Sequence, residues 1–135
     1  HSADTPGSKG WGFAGGVTMS VKDLGKIVAL LANDGVYDGT RYLSEESIKE
    51  LEYHENNNIG DRWQCQPLFY KPDMYGQGEF YYHTGSAYGV YNLAGYNPET
   101  GRGIAVLTTG TVGKRGDDDL SWACGEIANV LLNIE

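Results

Sequence analysis

Apolar side chains recur every three or four residues after Ser20, a spacing that predicts an amphipathic helix. They are Val21, Leu24, Ile27, Val28 and Leu31. Ser20 can cap the backbone at the start of this helix, and Asp23 at the third helical position can reach back to it. Gly35 supplies a stop signal just beyond the last of these residues.

A second, shorter helix is predicted to begin at Ser44–Glu46 and to carry Ile48 and Leu51 on its apolar face. The segment that follows, Glu55–Gly78, is polar, is broken by prolines and has little periodicity. We expect it to be mostly loop, with one strand at Gln64–Tyr70.

The pattern changes to that of strands from Glu79 onward. Three strands are predicted, at Glu79–Thr84, Tyr88–Tyr96 and Arg102–Thr109, and Asn97–Gly101 forms the hairpin turn between the last two. The second and third strands are apolar on both sides, which is typical of strands that are covered on both faces.

A closing amphipathic helix would cover one face of this sheet. Its apolar residues are Leu120, Ala123, Cys124, Ile127, Val130, Leu131 and Ile134. The helix after Ser20 is the best candidate to cover the other face. We therefore predict a single α/β (α+β) domain over 1–135, with an antiparallel three-stranded sheet, flanking helices and an extended lead-in at 1–16.

The charge balance argues against a nucleic-acid partner. Ten basic residues stand against eighteen acidic ones, a net charge of −8, and no basic patch with interleaved aromatics is present. The run Asp117–Asp119 is interpreted as the solvated start of a helix rather than as a cation site. The longest apolar stretch, Ile27–Ala32, is too short to span a bilayer.

Cys65 and Cys124 lack the close Cys spacing and the His partner that a zinc site needs. We expect two buried thiols. The alternative is that the two cysteines form one disulfide, if the protein is exported. No metal and no cofactor are predicted.

The most informative segment is Tyr82–Gly89, where small and hydroxylated residues follow a strand. Gly85 removes side-chain bulk, so a ligand could lie against the strand edge and bind backbone N–H groups. The hydroxyls of Thr84 and Ser86 could bind a carboxylate. The alternative is a Gly-bearing turn between two strands with an exposed His83.

His83-Thr84-Gly85 resembles the Lys-Thr-Gly motif of serine β-lactamases and penicillin-binding proteins, in the His-Thr-Gly form of DD-peptidases and esterases similar to class C β-lactamases. Further segments resemble the same family in the same order, and together they cover nearly all of the chain from about residue 12. They are Ala14–Leu24, Asp38–Ser44, Tyr91–Pro98 and Gly103–Leu107.

The resemblance implies a role for each residue of the motif. His83 would stand where the family has its cationic lysine, and the backbone N–H of Ser86 would supply one arm of an oxyanion hole; these are the predicted catalytic residues. Thr84 would bind the carboxylate or carbonyl of the substrate. Gly85 would keep the strand edge open, and Tyr88 would line a substrate groove.

The two other motifs of the family are missing. No serine is followed by a lysine three residues later, and neither Tyr-x-Asn nor Ser-x-Asn occurs. A serine hydroxyl needs a neighbouring base to become nucleophilic, so we expect the chain to be inactive alone. Because the family it resembles has both motifs upstream of this region, the resemblance implies that the chain is the C-terminal part of a longer bacterial serine hydrolase. Its substrate would be a β-lactam, a peptidoglycan-like D-alanyl peptide or an ester.

The sequence leaves two other interpretations open. A Ser-His-Asp triad would use Ser86 or Ser121 with His54 or His83, but no Gly-x-Ser-x-Gly elbow is present. A non-catalytic binding or assembly module that kept the fold and lost the chemistry is the alternative from another class.

The resemblance also implies an exported or cell-envelope location. It further predicts that the chain alone self-associates as a homo-oligomer through an unpaired strand edge, at Ile104–Leu107 or Phe80–Tyr82.

Overall fold

A computed structural model describes residues 17–87, 89–111, 113–116 and 120–134. Within these ranges the chain is α+β, and its strands are antiparallel. The elements in chain order are α1 (Val21–Ala32), β1 (Val36–Tyr37), β2 (Thr40–Arg41), α2 (Glu45–Glu52), β3 (His54–Ile59), β4 (Arg62–Cys65), β5 (Phe69–Lys71), β6 (Phe80–Ala87), β7 (Val90–Tyr96), β8 (Gly103–Thr109) and α3 (Trp122–Leu132). None of the helices in the described ranges is long and apolar enough to cross a membrane.

The main sheet has six strands in the order β3-β4-β5-β6-β7-β8, so each strand pairs with its neighbours along the chain. The predicted three strands are β6, β7 and β8. The expectation of a mostly loop segment at Glu55–Gly78 was wrong, because this segment contributes most of β3 and all of β4 and β5. The single strand expected at Gln64–Tyr70 is instead the end of β4, a turn at residues 66–68 and the first two residues of β5, with Gln64 paired to Phe69.

A row of aromatic side chains holds the strands that the sequence pattern missed. Trp63 is paired with Tyr70, Tyr70 with Tyr81, and Tyr81 with Tyr96 across four neighbouring strands. Their ring centroids lie 5.6, 5.1 and 5.9 Å apart, within contact range for aromatic pairs. His54 stacks on Tyr70 at 4.5 Å. Cross-strand aromatic pairs stabilise a sheet through contacts between strands. A segment can therefore form a strand although its own sequence does not alternate between apolar and polar residues.

Helices cover both faces of the sheet, as predicted. Consecutive side chains of a strand point to opposite faces, and Tyr81 and Tyr82 of β6 accordingly belong to different core clusters. One cluster contains Val28 of α1 with Tyr81, and the other contains Cys124 of α3 with Tyr82. Cys65 lies in the α1 cluster, so both cysteines are buried, free thiols separated by the sheet. The expectation of two buried thiols is confirmed.

The helix starts are capped as the sequence indicates. The Ser20 hydroxyl accepts a hydrogen bond from the Asp23 amide at 3.2 Å and donates one to its carboxylate at 2.8 Å. The Ser44 hydroxyl accepts from the Ser47 amide at 3.1 Å. Gly35 follows α1 with φ +82°, and a Cβ there would collide with the backbone carbonyl of Leu43.

Glu52, the last residue of α2, accepts a hydrogen bond from the Tyr96 hydroxyl at 2.9 Å. Burial raises the pKa of Glu52, the Tyr96 hydrogen bond opposes this shift, and the charges of Asp34 and Glu79 add to it. A carboxyl whose pKa is higher in the folded state than in the unfolded state disfavours the folded state when it ionises. The free energy of unfolding therefore falls as the pH rises through the folded pKa.

Glu52→Gln is therefore expected to raise the free energy of unfolding at pH 7 and to change it little at pH 4, as measured by urea denaturation. Removing a negative charge from a helix C-terminus adds about 0.5 kcal/mol in the same direction at pH 7. Glu50→Gln, at an exposed position in the same turn, is the control for that helix contribution. A larger increase in the free energy of unfolding from Glu50→Gln than from Glu52→Gln at pH 7 would contradict the claim that the half-buried Glu52 carboxylate destabilises the fold.

Candidate functional site

The His83-Thr84-Gly85-Ser86 segment lies within β6, which continues to Ala87. It is not a turn between strands, and β6 extends past the predicted end at Thr84. Seven residue pairs join β6 to β7, including Gly85 opposite Asn92 and Ser86 opposite Tyr91. The motif therefore presents a strand edge, which an extended ligand can approach.

That edge is open at the motif. On the side away from β7, β5 pairs only with Phe80, Tyr81 and Tyr82. The prediction of Phe80–Tyr82 as an outermost edge was therefore wrong. Beyond Tyr82, this side of β6 has no strand partner among the described residues.

A cavity of about 170 Å³ lies at the end of β6 and the start of β7, where the motif residues are. Three of the predicted residues, Thr84, Gly85 and Ser86, line it. The other lining residues are Tyr91, Asn92, Gly113, Lys114, Arg115, Ser121 and Cys124. The cavity thus joins the motif to the loop after β8 and to the start of α3.

Backbone hydrogen bonds hold that loop in place. The Trp122 amide donates to the Lys114 carbonyl at 2.8 Å, and the Gly116 amide donates to the Leu120 carbonyl at 2.9 Å. The Lys114 ammonium lies 5.6 Å from the centre of the Trp122 ring. Lys114 and Arg115 both line the cavity, so this part of an acidic chain carries local positive charge, which favours an anionic ligand.

One residue of the cavity lining, Asn92, carries a buried acceptor: its Oδ1 has no hydrogen-bond partner among the described residues. Asn92 lies opposite Gly85 in the ladder, and a Cβ at Gly85 would lie 3.5 Å from its amide nitrogen. Buried polar atoms are usually satisfied, so this oxygen is suited to an N–H group of a ligand.

The thiol in the cavity is not an activated nucleophile. Cys124 Sγ donates to the Tyr91 carbonyl at 3.3 Å. Burial raises the pKa of Cys124, and the nearby hydroxyls of Thr108 and Ser121 oppose the shift. A reactive cysteine needs the opposite shift, towards the thiolate.

The two serines of the cavity also lack a base. No histidine, aspartate or glutamate is among the described residues that line it. Lys114 is exposed, whereas a lysine that activates a nucleophile is usually desolvated. Neither Ser86 nor Ser121 is therefore activated by the described residues.

His83 lies next to the cavity but does not line it. Its side chain is exposed, and its ring stacks on Phe69 at 6.0 Å. The Arg62 guanidinium lies 4.5 Å from the centre of the same Phe69 ring. His54 stacks on Tyr70 of β5 instead, so the described residues do not assemble a Ser-His-Asp triad. Tyr88, predicted to line a groove, lies outside the described residues.

Sequence reasoning missed the second side of the cavity, formed by Asn92, Lys114, Arg115 and Cys124. One signal was present, since adjacent Lys and Arg between glycines stand out in an acidic chain. The position of Asn92 opposite Gly85 depends on strand register, which only the structure gives.

No family model matches the chain, and no curated protein and no solved structure matches it significantly.

Proposed function

We propose that this chain is the C-terminal portion of a serine acyl-hydrolase and that it supplies the substrate-binding strand. The substrate is a β-lactam, a D-alanyl peptide or an ester. The observation that carries the proposal is that Thr84, Gly85 and Ser86, whose side of β6 away from β7 has no strand partner among the described residues, also line a cavity.

Each residue of the motif has a role in this proposal. Gly85 lets an extended acyl group approach the strand, and the Thr84 hydroxyl donates to its carboxylate or carbonyl. The Ser86 N–H stabilises the oxyanion that forms when the carbonyl is attacked. His83, at the rim, contributes positive charge or carries a proton when the nucleophile is in place. The β6-β7-β8 portion with α3 is the part that resembles the β-lactamase-type sheet.

The size and charge of the cavity suit one end of such a substrate. Binding pockets for drug-sized ligands are typically about 300–1,000 Å³, and this cavity is smaller, at about 170 Å³. Lys114, which is exposed, favours the anionic end, because charge-assisted hydrogen bonds to a carboxylate are strong. The reacting carbonyl would then lie along β6 outside the cavity.

The second candidate is a non-catalytic binding module that uses the same edge. The absence of a base among the described lining residues favours it. A Ser-x-x-Lys sequence upstream in the same reading frame would decide for the hydrolase, and its absence from the full reading frame would decide for the module. An exported or cell-envelope location is part of the hydrolase proposal.

A fluorescent penicillin tests both halves of the proposal. We expect its anisotropy to rise reversibly with the concentration of the chain, with affinity in the millimolar range, about −4 kcal/mol. After denaturation no label should stay on the protein, because no activated serine is present. Hydrolysis of a chromogenic cephalosporin or a p-nitrophenyl ester is likewise not expected. Stoichiometric labelling of any serine would refute the claim that the chain lacks an activated nucleophile. Anisotropy that does not change with the concentration of the chain would refute the claim that it binds the penicillin.

A further inference from the structure

The first residue of β5, Phe69, lies where the open side of β6 begins. Phe69 pairs with Tyr82, and beyond this pair no strand lies on that side of β6 in the described part of the chain. The rings of Phe69 and His83 stack with centroids 6.0 Å apart and an interplanar angle of 18°. We propose that Phe69 is a positioning residue, which holds the His83 imidazole at the rim of the motif and thereby strengthens substrate binding. The proposal rests on the role that the proposed function gives to His83.

His83 depends on this contact because little else restrains its side chain. The side chain is exposed, and it makes no hydrogen bond and no ion pair with the residues that the structure describes. Aromatic rings attract each other at centroid distances of about 4.5–7 Å, so the nearly parallel Phe69 ring favours one orientation of the imidazole. A side chain that is ordered before the ligand arrives loses less conformational freedom on binding.

Phe69 is itself fixed by two neighbours. Its ring centroid lies 5.6 Å from that of Tyr82, which is 0% exposed. The Arg62 guanidinium lies 4.5 Å from the centre of the Phe69 ring, within range for a cation–π contact. Phe69 is therefore anchored to a buried ring of β6, and it can restrain the next side chain of that strand, His83.

The neighbouring residue in β5 offers a matched comparison. Tyr70 packs against the core cluster on the other face of the sheet from Phe69. Its ring stacks on His54 at 4.5 Å with an interplanar angle of 20°. Phe69 and Tyr70 thus contact one histidine each, and only His83 belongs to the motif. Tyr70→Leu is therefore the control for Phe69→Leu.

NMR of the imidazole protons tests the contact in the chain as it is. Phe69 is half-buried, and leucine keeps an apolar side chain against Tyr82 while it removes the ring. Phe69→Leu should therefore shift the imidazole signals of His83, because the ring current beside them is lost, and leave those of His54 in place. Tyr70→Leu should do the reverse. Imidazole signals of His83 that do not respond to Phe69→Leu would overturn the proposal.

The fluorescent penicillin tests whether the contact matters for binding. Phe69→Leu should weaken the affinity about two- to tenfold, the range that one aromatic contact supplies, and Phe69→Tyr should keep it because the ring is retained. In a chain that carries His83→Ala, Phe69→Leu should have no further effect, whereas a merely structural role of Phe69 would weaken binding there as well. Tyr70→Leu should bind like the wild type.

An equal loss of affinity from Phe69→Leu with and without His83→Ala would overturn the proposal, as would equal affinities of Phe69→Leu and the wild type. A wild-type chain that does not bind the penicillin would refute the proposed function and, with it, the effect of Phe69 on binding. The imidazole signals would still decide separately whether Phe69 orders His83.

Discussion

Gly95→Ala is expected to destabilise the protein by about 3 kcal/mol or more, the upper range for overpacking a core. Gly95 lies in β7, directly opposite Tyr82. A Cβ at this position would lie 2.6 Å from Tyr82 Cβ and 2.7 Å from both Phe80 Cε1 and the Tyr81 carbonyl oxygen. Phe80 and Tyr82 are 0% exposed, so neither side chain has free space to move into, and the Tyr81 contact is with the backbone.

Gly25→Ala is the matched control, since it adds the same methyl group where nothing lies within 4 Å. Gly25 is inside α1, where alanine is preferred over glycine by about 0.5–1 kcal/mol. In urea denaturation the free energy of unfolding should therefore be lower than that of the wild type for Gly95→Ala and higher for Gly25→Ala. Equal stability of Gly95→Ala and the wild type would mean that β6 and β7 are not packed at this position as described.

Gly85→Val is expected to weaken penicillin binding on the order of tenfold or more, at least 1.4 kcal/mol. Gly85 lines the cavity and lies on the open edge of β6. The added side chain would start beside Asn92, at an ordinary contact distance of 3.5 Å, and would occupy the space that the ligand needs. Valine is favourable in strands, so the variant should fold.

Ala87→Val is the control for this variant. Ala87 is two residues further along β6, is exposed, and does not line the cavity. Its affinity for the fluorescent penicillin should equal that of the wild type. If both valine variants bind like the wild type, the ligand does not use the β6 edge.

Local patterns predicted the elements that depend on local chemistry. Helical apolar spacing and the caps at Ser20 and Ser44 gave α1 and α2, and the Asn97–Gly101 turn fixed the hairpin of β7 and β8. In that turn the Gly101 amide donates to the Asn97 carbonyl at 3.0 Å, and Gly101 has φ +67°.

The strands β3 to β5 could not be predicted in this way. β3 is rich in asparagine, which is depleted in strands. These strands depend on aromatic partners that are distant in the sequence, such as Tyr70 with Tyr81. The periodicity within one segment does not indicate which distant residue that segment pairs with. The motif residues of the site were predicted because they are contiguous. The opposite wall was missed because Lys114 and Asn92 reach the cavity through register and loop geometry.

Titration of the ¹⁵N-labelled chain with benzylpenicillin, followed by amide NMR shifts, tests whether the motif strand β6 binds such a substrate. The account predicts the largest shifts at Gly85, Ser86, Asn92 and Arg115, with saturation in the millimolar range. Shifts centred instead on the separate depression that Tyr53 and Gln66 line by the end of α2, or no saturable shifts on β6, would contradict it.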